Sequence, residues 1–273
     1  MANLIESKIA DKLEAENVGF FSGRFEMYSE AIRKKVNDVH MSKDAGNQPL
    51  FPTAGTFLPF AFIDGNCTGT CTPGTGPTRP GPDAPRRPNA NRIQEAFYNG
   101  WLHKHGIKHL ALDGPDGLAI FCFGPSSLRR NDLYLLAQSE ADEHVRVAQA
   151  HLIQDDDLVL RVMYGDSIFP WRTCLRSRYN ASIFDPRKDW KDDVDAAMSS
   201  VRELVEHHYG EADQMWPFMA YEKKLKISNM PLKAIYTSKM FLRNCYVCLY
   251  GNKTSERFNC QPPILEDYAT AAV

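Results

Sequence analysis

Three acids stand where an acid is costly unless something compensates it: Asp64, Asp166 and Glu206. Asp64 closes the apolar run Thr56-Phe57-Leu58-Pro59-Phe60-Ala61-Phe62-Ile63. That run is too short for an ordinary helix and reads as a fully buried strand. Gly65 follows and lets the chain turn sharply. Asp166 ends a second run of the same kind, Leu158-Val159-Leu160-Arg161-Val162-Met163-Tyr164-Gly165. Glu206 sits about 100° round from Val205 on a helix, at the margin of its apolar face. Unpaired buried charge is expensive, so Asp64 calls for an arginine, a cap or a metal ion. Clustered carboxylates repel one another unless a cation lies between them, and hard cations such as Mg²⁺ take oxygen ligands. Two such ions clamp the attacking and leaving oxygens of a phosphodiester.

The elements that must position these acids follow from periodicity. Phe25, Tyr28, Ile32 and Val36 recur at helical spacing, as do Ile5, Ile9 and Leu13 before them, giving an N-terminal helical segment over residues 1–50. Residues 51–268 make up the main domain, interrupted at 73–91 by a proline- and glycine-rich insert that can be neither helix nor central strand. Two apolar runs between Gly106 and Phe123 flank Asp113-Gly114-Pro115-Asp116-Gly117, which reads as a hairpin. A helix begins near Asn131-Asp132. A longer one runs from about Asp192 to Tyr209 and buries Val194, Ala197, Met198, Val201, Leu204, Val205 and His208. Strand, hairpin, helix, strand, helix resembles the arrangement of an α/β, ribonuclease-H-like mixed sheet flanked by helices, a resemblance that implies carboxylates from central strands and a later helix converging on divalent metal.

Composition narrows the classes. The chain has 273 residues, 43% hydrophobic and 24% charged, ordinary for a globular protein with a large core. No apolar run reaches the roughly 18–20 residues of a membrane helix, so no membrane partner is expected, and the polar N-terminus does not read as a signal peptide. Seven cysteines suggest free thiols inside a cell. Cys67 and Cys71 with His103 and His105 fit no standard zinc spacing. Cys245 and Cys248 lack a second pair and read as core packing.

The net charge of −2 does not itself announce nucleic acid, but it is unevenly spread. Lys223, Lys224, Lys226, Lys233, Lys239, Arg243, Lys253 and Arg257 crowd one segment against Glu222 and Glu256. That segment could grip a phosphate backbone or be a solvated surface. Arg172, Arg176 and Arg178, with Trp171, follow Asp166 closely and either line a DNA path or pair with nearby acids.

The wording around the acids resembles the PIF/Harbinger group of DDE transposases. The matching segments are Phe62-Ile63-Asp64-Gly65, Tyr98-Asn99-Gly100, Pro115-Asp116-Gly117, Phe123-Gly124-Pro125 and Arg129-Arg130-Asn131-Asp132. They continue with Gly165-Asp166-Ser167-Ile168-Phe169-Pro170, Met198-Ser199-Ser200-Val201-Arg202 through Val205-Glu206, Cys245 to Gly251 and Pro262 to Tyr268. The resemblance implies a nuclear, Mg²⁺- or Mn²⁺-dependent endonuclease and strand-transfer domain. In it water, and then a 3′-hydroxyl, attacks a phosphodiester in line.

The resemblance puts the first acid at Asp64 and the last at Glu206. Asp166 matches the family's glycine–aspartate pair and, lying after the fourth strand of such a fold, is preferred as the middle acid. Asp132 matches another family aspartate. It becomes either a fourth metal-binding carboxylate or a helix N-cap. The implied partner is DNA, with further copies of the chain; the charge distribution offers Lys223, Lys224, Lys226 and Arg243, with Arg172 and Arg176, as its grip, whereas the resemblance leans toward a separate DNA-binding protein. The other class is a domesticated relative that binds DNA or protein and no longer cuts. The chain departs from the family pattern at Asn131, where relatives carry histidine, at Trp101 and Leu102, where a basic residue is usual, and at His207, often arginine.

Overall fold

The apolar run before Asp64 forms the centre of the sheet. In this computed structural model, which describes residues 17–42, 49–51, 57–72, 90–150, 159–220, 225–227 and 230–271, strand β1 spans Phe57–Gly69. It is longer than the run itself: the strand does not stop at Asp64, and Gly65 does not turn the chain. Beyond Ile63 the strand keeps its ladder through antiparallel pairing with β3 (Lys104–Asp113), from Phe62↔Asp113 to Gly69↔Gly106. The backbone groups are therefore satisfied whatever the side chains are. On its other edge β1 pairs in parallel with β5 (Leu160–Gly165), from Phe57↔Leu160 to Ile63↔Gly165. That register slips between Pro59 and Ala61, where proline offers no N–H to the ladder.

The chain enters this sheet from helices α1 (Asn17–Phe21) and α2 (Phe25–Met41), joined by a 3₁₀ turn at Ser22–Arg24. Phe25, Tyr28, Ile32 and Val36 are all buried, as their spacing requires, and the Phe25 ring lies 3.9 Å from that of Phe60 on β1. Ile5, Ile9 and Leu13 and the insert at 73–91, apart from the backbone of 90–91, lie outside the described residues. After β1 come α3 (Ala90–Phe97), the two-residue strand β2 (Tyr98–Asn99) paired to the start of β3, and then β4 (Ala119–Ser127), antiparallel to β3 as the expected hairpin.

Helices α4 (Asp132–Ser139) and α5 (Ala141–Ala148) cross over to β5. Gln149 ties that crossover down: its side-chain amide donates to the Arg161 carbonyl and its oxygen accepts from the Arg161 N–H, at 3.0 and 3.1 Å. Strand β6 (Leu175–Arg176) is parallel to β5. The long helix α6 runs Lys188–Met215, further at both ends than the apolar stripe alone predicts. It is followed by α7 (Pro217–Ala220), α8 (Leu232–Tyr250), α9 (Lys253–Phe258) and α10 (Leu265–Ala271).

The result is an α/β protein with a mixed open sheet. β4, β3 and β1 are antiparallel neighbours, and β1, β5 and β6 run parallel. Side chains of a strand alternate between faces, and β3 serves two cores in this way. Leu110 and Leu112 join the main core with α2 and α6, whereas Ile107 and Ala111 pack with Leu232, Tyr236 and Met240 of α8. No helix among the described residues is long and apolar enough to cross a membrane.

The hairpin turn is clamped to α2. Tyr28 donates its hydroxyl proton to the buried Asp116 carboxylate, the Leu118 N–H donates to the same group at 3.1 Å, and Arg24 approaches it at 3.5 Å. Burial pushes the Asp116 carboxyl up to about 6 despite these partners. The segment Pro115-Asp116-Gly117 thus serves the fold.

His109 is a weak point. It is 2% exposed, stacked on Tyr236 at 3.5 Å, and neither ring nitrogen has a partner. Burial, and then the charge of Lys239, lowers its pKa from 6.5 to about 3. A base whose folded pKa is depressed contributes its full stability above the unfolded value, about 6.5. That contribution is lost as pH falls toward about 3, because the unfolded chain binds the proton first. His109→Phe keeps the stack and removes two unsatisfied nitrogens. It should raise stability by about 1–2 kcal/mol at neutral pH and flatten the loss between pH 6.5 and 4.5. Urea melts at both pH values check this, and a less stable Phe variant contradicts it.

Candidate functional site

Asp64 is half-buried on β1. Its Oδ1 accepts the Gly65 N–H at 2.7 Å, and its Oδ2 lies 3.7 Å from Nη1 of Arg202 on α6. Of the three compensations open to this acid, an arginine is therefore present. Sequence reading missed Arg202 as that partner, although its position one helical turn before Glu206 was a usable signal. Residues four apart on a helix share a face, so position 206 occupies the same stripe of α6 that reaches Asp64 through Arg202. The side chains of Glu206 and of His207-His208 lie outside the described residues.

Asp166 directly follows β5 and is exposed; its Oδ1 accepts from the Ser167 N–H and, at 3.1 Å, from the Ser167 hydroxyl. The last pair of the β1–β5 ladder is Ile63↔Gly165. Asp64 and Asp166 each directly follow that last pair; Asp64 continues within β1, whereas Asp166 leaves β5 into a turn closed by the Phe169 N–H donating to its carbonyl at 2.9 Å.

Asp132 is placed differently. The helix cap is Asn131, whose side chain accepts the Tyr134 N–H at 2.9 Å, so Asp132 does not cap. It is bound instead by Lys108, Nζ to Oδ1 3.0 Å, with side chains only 11% and 19% exposed. Its carboxylate fills the space a side chain at Gly65 would need: a Cβ there would stand 2.0 Å from Asp132 Oδ1. Glycine at 65 is thus explained by close approach, not by a turn. Since Asp64 and Gly65 face opposite sides of β1, Asp132 approaches the strand from the side away from the Asp64 carboxylate.

Gly65→Ala should push Asp132 off Lys108 and cost about 1–3 kcal/mol, the range for a buried polar group left unsatisfied. Because the clash is with Asp132 itself, Gly65→Ala combined with Asp132→Ala should cost clearly less than the two single changes summed. Additive losses in denaturant melts would contradict this geometry.

The proposed DNA-contacting residues are scattered. Lys223 and Lys224 lie outside the described residues. Lys226 and Arg172 are exposed. Arg176 is partly buried, donating to the carbonyl oxygens of Arg172 and Leu175 with its guanidinium 5.1 Å from the Trp171 ring centre. Arg243 is a correction. It is 0% exposed and donates to the Gly117 carbonyl at 2.6 Å and to Glu211 at 3.0 Å. A phosphate cannot reach it. Lys239, in the same basic run, is likewise buried against Asp213.

All seven cysteines are free thiols. Among the described residues no group of three or more His, Cys, Asp or Glu side chains is placed to hold a metal ion. Cys67, Cys71, His103 and His105 therefore form no such group, while a set that includes the Glu206 side chain falls outside that observation. Asp64 and Asp166 offer carboxylate oxygens, donors that suit Mg²⁺ or Mn²⁺ and not a thiophilic ion. Compared with family models, curated proteins and solved structures, the chain matches none of them.

Proposed function

We propose that the chain is a metal-dependent DNA-cleaving and strand-transfer domain of the DDE type, built on a ribonuclease-H-like sheet, resembling the PIF/Harbinger transposases and acting in the nucleus. The observation that supports this reading most is the parallel pairing of β1 with β5, after whose last pair, Ile63↔Gly165, Asp64 and Asp166 directly follow, together with the approach of Arg202, one helical turn before Glu206 on α6, to Asp64. The mixed sheet, with β1 between antiparallel β3 and parallel β5, is compatible with such a fold.

Asp64, Asp166 and Glu206 would hold Mg²⁺ or Mn²⁺, which when bound supplies an acidified water and balances charge on the phosphate. The remaining work belongs to the chain. Arg202 fixes the Asp64 carboxylate and offsets its charge, which limits repulsion from Asp166. Gly65 and the Lys108–Asp132 pair hold β1 in register behind Asp64. Arg172 and Lys226, exposed near and beyond the site, supply sequence-independent phosphate contacts, along with Lys223 and Lys224. A separate DNA-binding protein and a second copy of the chain complete the assembly.

A second reading has its own support. Asp64 and Asp132 each already have a cationic partner, and the basic segment loses Arg243 and Lys239 to the interior. Both fit a domesticated relative that binds DNA or protein without cutting. Incubating supercoiled plasmid with Mg²⁺, with Mn²⁺ and with chelator separates the two: nicking that needs the metal is expected. Binding without nicking in either metal would favour the second reading.

A further inference from the structure

The segment leaving Asp166 is held to a defined shape. The Trp171 indole N–H donates to the Ser177 carbonyl at 3.2 Å, and the Ser177 hydroxyl donates to the Phe169 carbonyl at 2.7 Å. The Tyr179 N–H donates to both oxygens of Asp195, at 2.9 and 3.1 Å, and Asp195 is itself buried. Rings and cations alternate on this frame. The Arg176 guanidinium lies 5.1 Å from the Trp171 ring centre, Trp171 meets Tyr179 edge-on at 5.1 Å, and the Lys191 ammonium lies 5.4 Å over Tyr179.

Against Trp171, Tyr179 and Lys191 opens a cleft of about 510 Å³, lined also by Arg178, Asn180 and Arg187 among others. Its size falls within the range of small-ligand clefts, about 300–1,000 Å³. No carboxylate is among the described residues that line it. Arg178 lies 3.9 Å from Asp195, and Lys191 is paired with Asp185.

A site with aromatic faces, three cations and one amide suits a ligand with a flat ring, a hydrogen-bonding edge and a negative charge. A nucleotide has all three. In a duplex both faces of each base are covered by stacking, so such rings can engage only a nucleotide that is unpaired. We propose that this cleft binds an unpaired nucleotide of a DNA strand, its base against Trp171 or Tyr179 and its phosphate at Arg178, Arg187 and Lys191. Its place beside the scissile phosphate rests on the function proposed above, because Asp166 lies five residues before Trp171; the chemistry of the cleft does not depend on it.

Fluorescence anisotropy with labelled oligothymidylate and with a duplex of the same length, both in chelator so that no cleavage enters, tests the proposal. Trp171→Ala should weaken single-strand binding about 5- to 100-fold, the loss of one base–aromatic stack, and change duplex binding less than about twofold. Trp171→Leu retains bulk against Tyr179 and should show the same selective loss, which decides the matter if the alanine variant melts early. Unchanged single-strand affinity in both variants, or equal losses on single strand and duplex, would overturn the proposal. Selective loss by a protein that never nicks plasmid would keep this site and reject the nuclease.

Discussion

Asp64→Asn is expected to abolish cleavage while leaving the fold as stable as before. The loss should be at least about a thousandfold, because groups that act as one catalytic unit fail together when one is removed. Two small effects on stability oppose each other. The change gives up a partly exposed contact with Arg202 at 3.7 Å, and pairs of that kind contribute at most about 1 kcal/mol. In the proposed site it also removes one of the carboxylates that repel one another without metal, which relieves repulsion. The net change should stay within about 1 kcal/mol in thermal or urea melts. A variant that unfolds readily would make Asp64 a structural partner of Arg202 and nothing more.

Arg243→Met should be far more damaging to the fold. The guanidinium is fully buried and joins three elements: it donates to Gly117 in the hairpin turn, to Glu211 near the end of α6, and it projects from α8. Glu211 also accepts from Asn252, at 3.3 Å, and Asn252 caps α9 through Ser255. Methionine fills much of the volume but leaves the Gly117 carbonyl unpaired and Glu211 with one partner. Breaking a buried pair from one side costs about 3–5 kcal/mol. Glu211 is 32% exposed, so water makes up part of the loss and about 3 kcal/mol is the expected figure. Duplex affinity of the protein that remains folded should not change. Weaker DNA binding at unchanged stability would return Arg243 to the surface.

These two residues show what was legible. The strands could be read as short apolar runs set off by turn residues, and the helices α2 and α6 because their apolar residues keep a period near 3.6, as Phe25, Tyr28, Ile32 and Val36 do. Asp64 could be singled out because an acid abutting a buried strand demands a partner. Its neighbour was harder: Gly65 reads as a turn in one dimension, and only the arrival of Asp132 from α4 shows that it makes room for a carboxylate. The basic run misled for a related reason. Charge counted along the chain ignores which way a helix faces, and Tyr236, Lys239, Met240, Arg243 and Val247 lie at the spacing of one buried stripe. That periodicity was available and outweighs the count of cations. Several segments that carry the transposase resemblance serve the fold as well. Asp116 anchors the hairpin, Asn99 braces the turn at Trp101 and Leu102, and Tyr268 accepts from Asn244 at 2.9 Å.

The central claim is that Asp64, Asp166 and Glu206 act as one metal-binding unit. Nicking of supercoiled plasmid in Mn²⁺ by the wild type, Asp166→Asn and Glu206→Gln, compared at equal concentrations of folded protein, tests it most directly. The account expects metal-dependent nicking by the wild type and none above background from either variant, with the Asp132→Asn protein losing much less. Wild-type rates from Asp166→Asn or Glu206→Gln would contradict it.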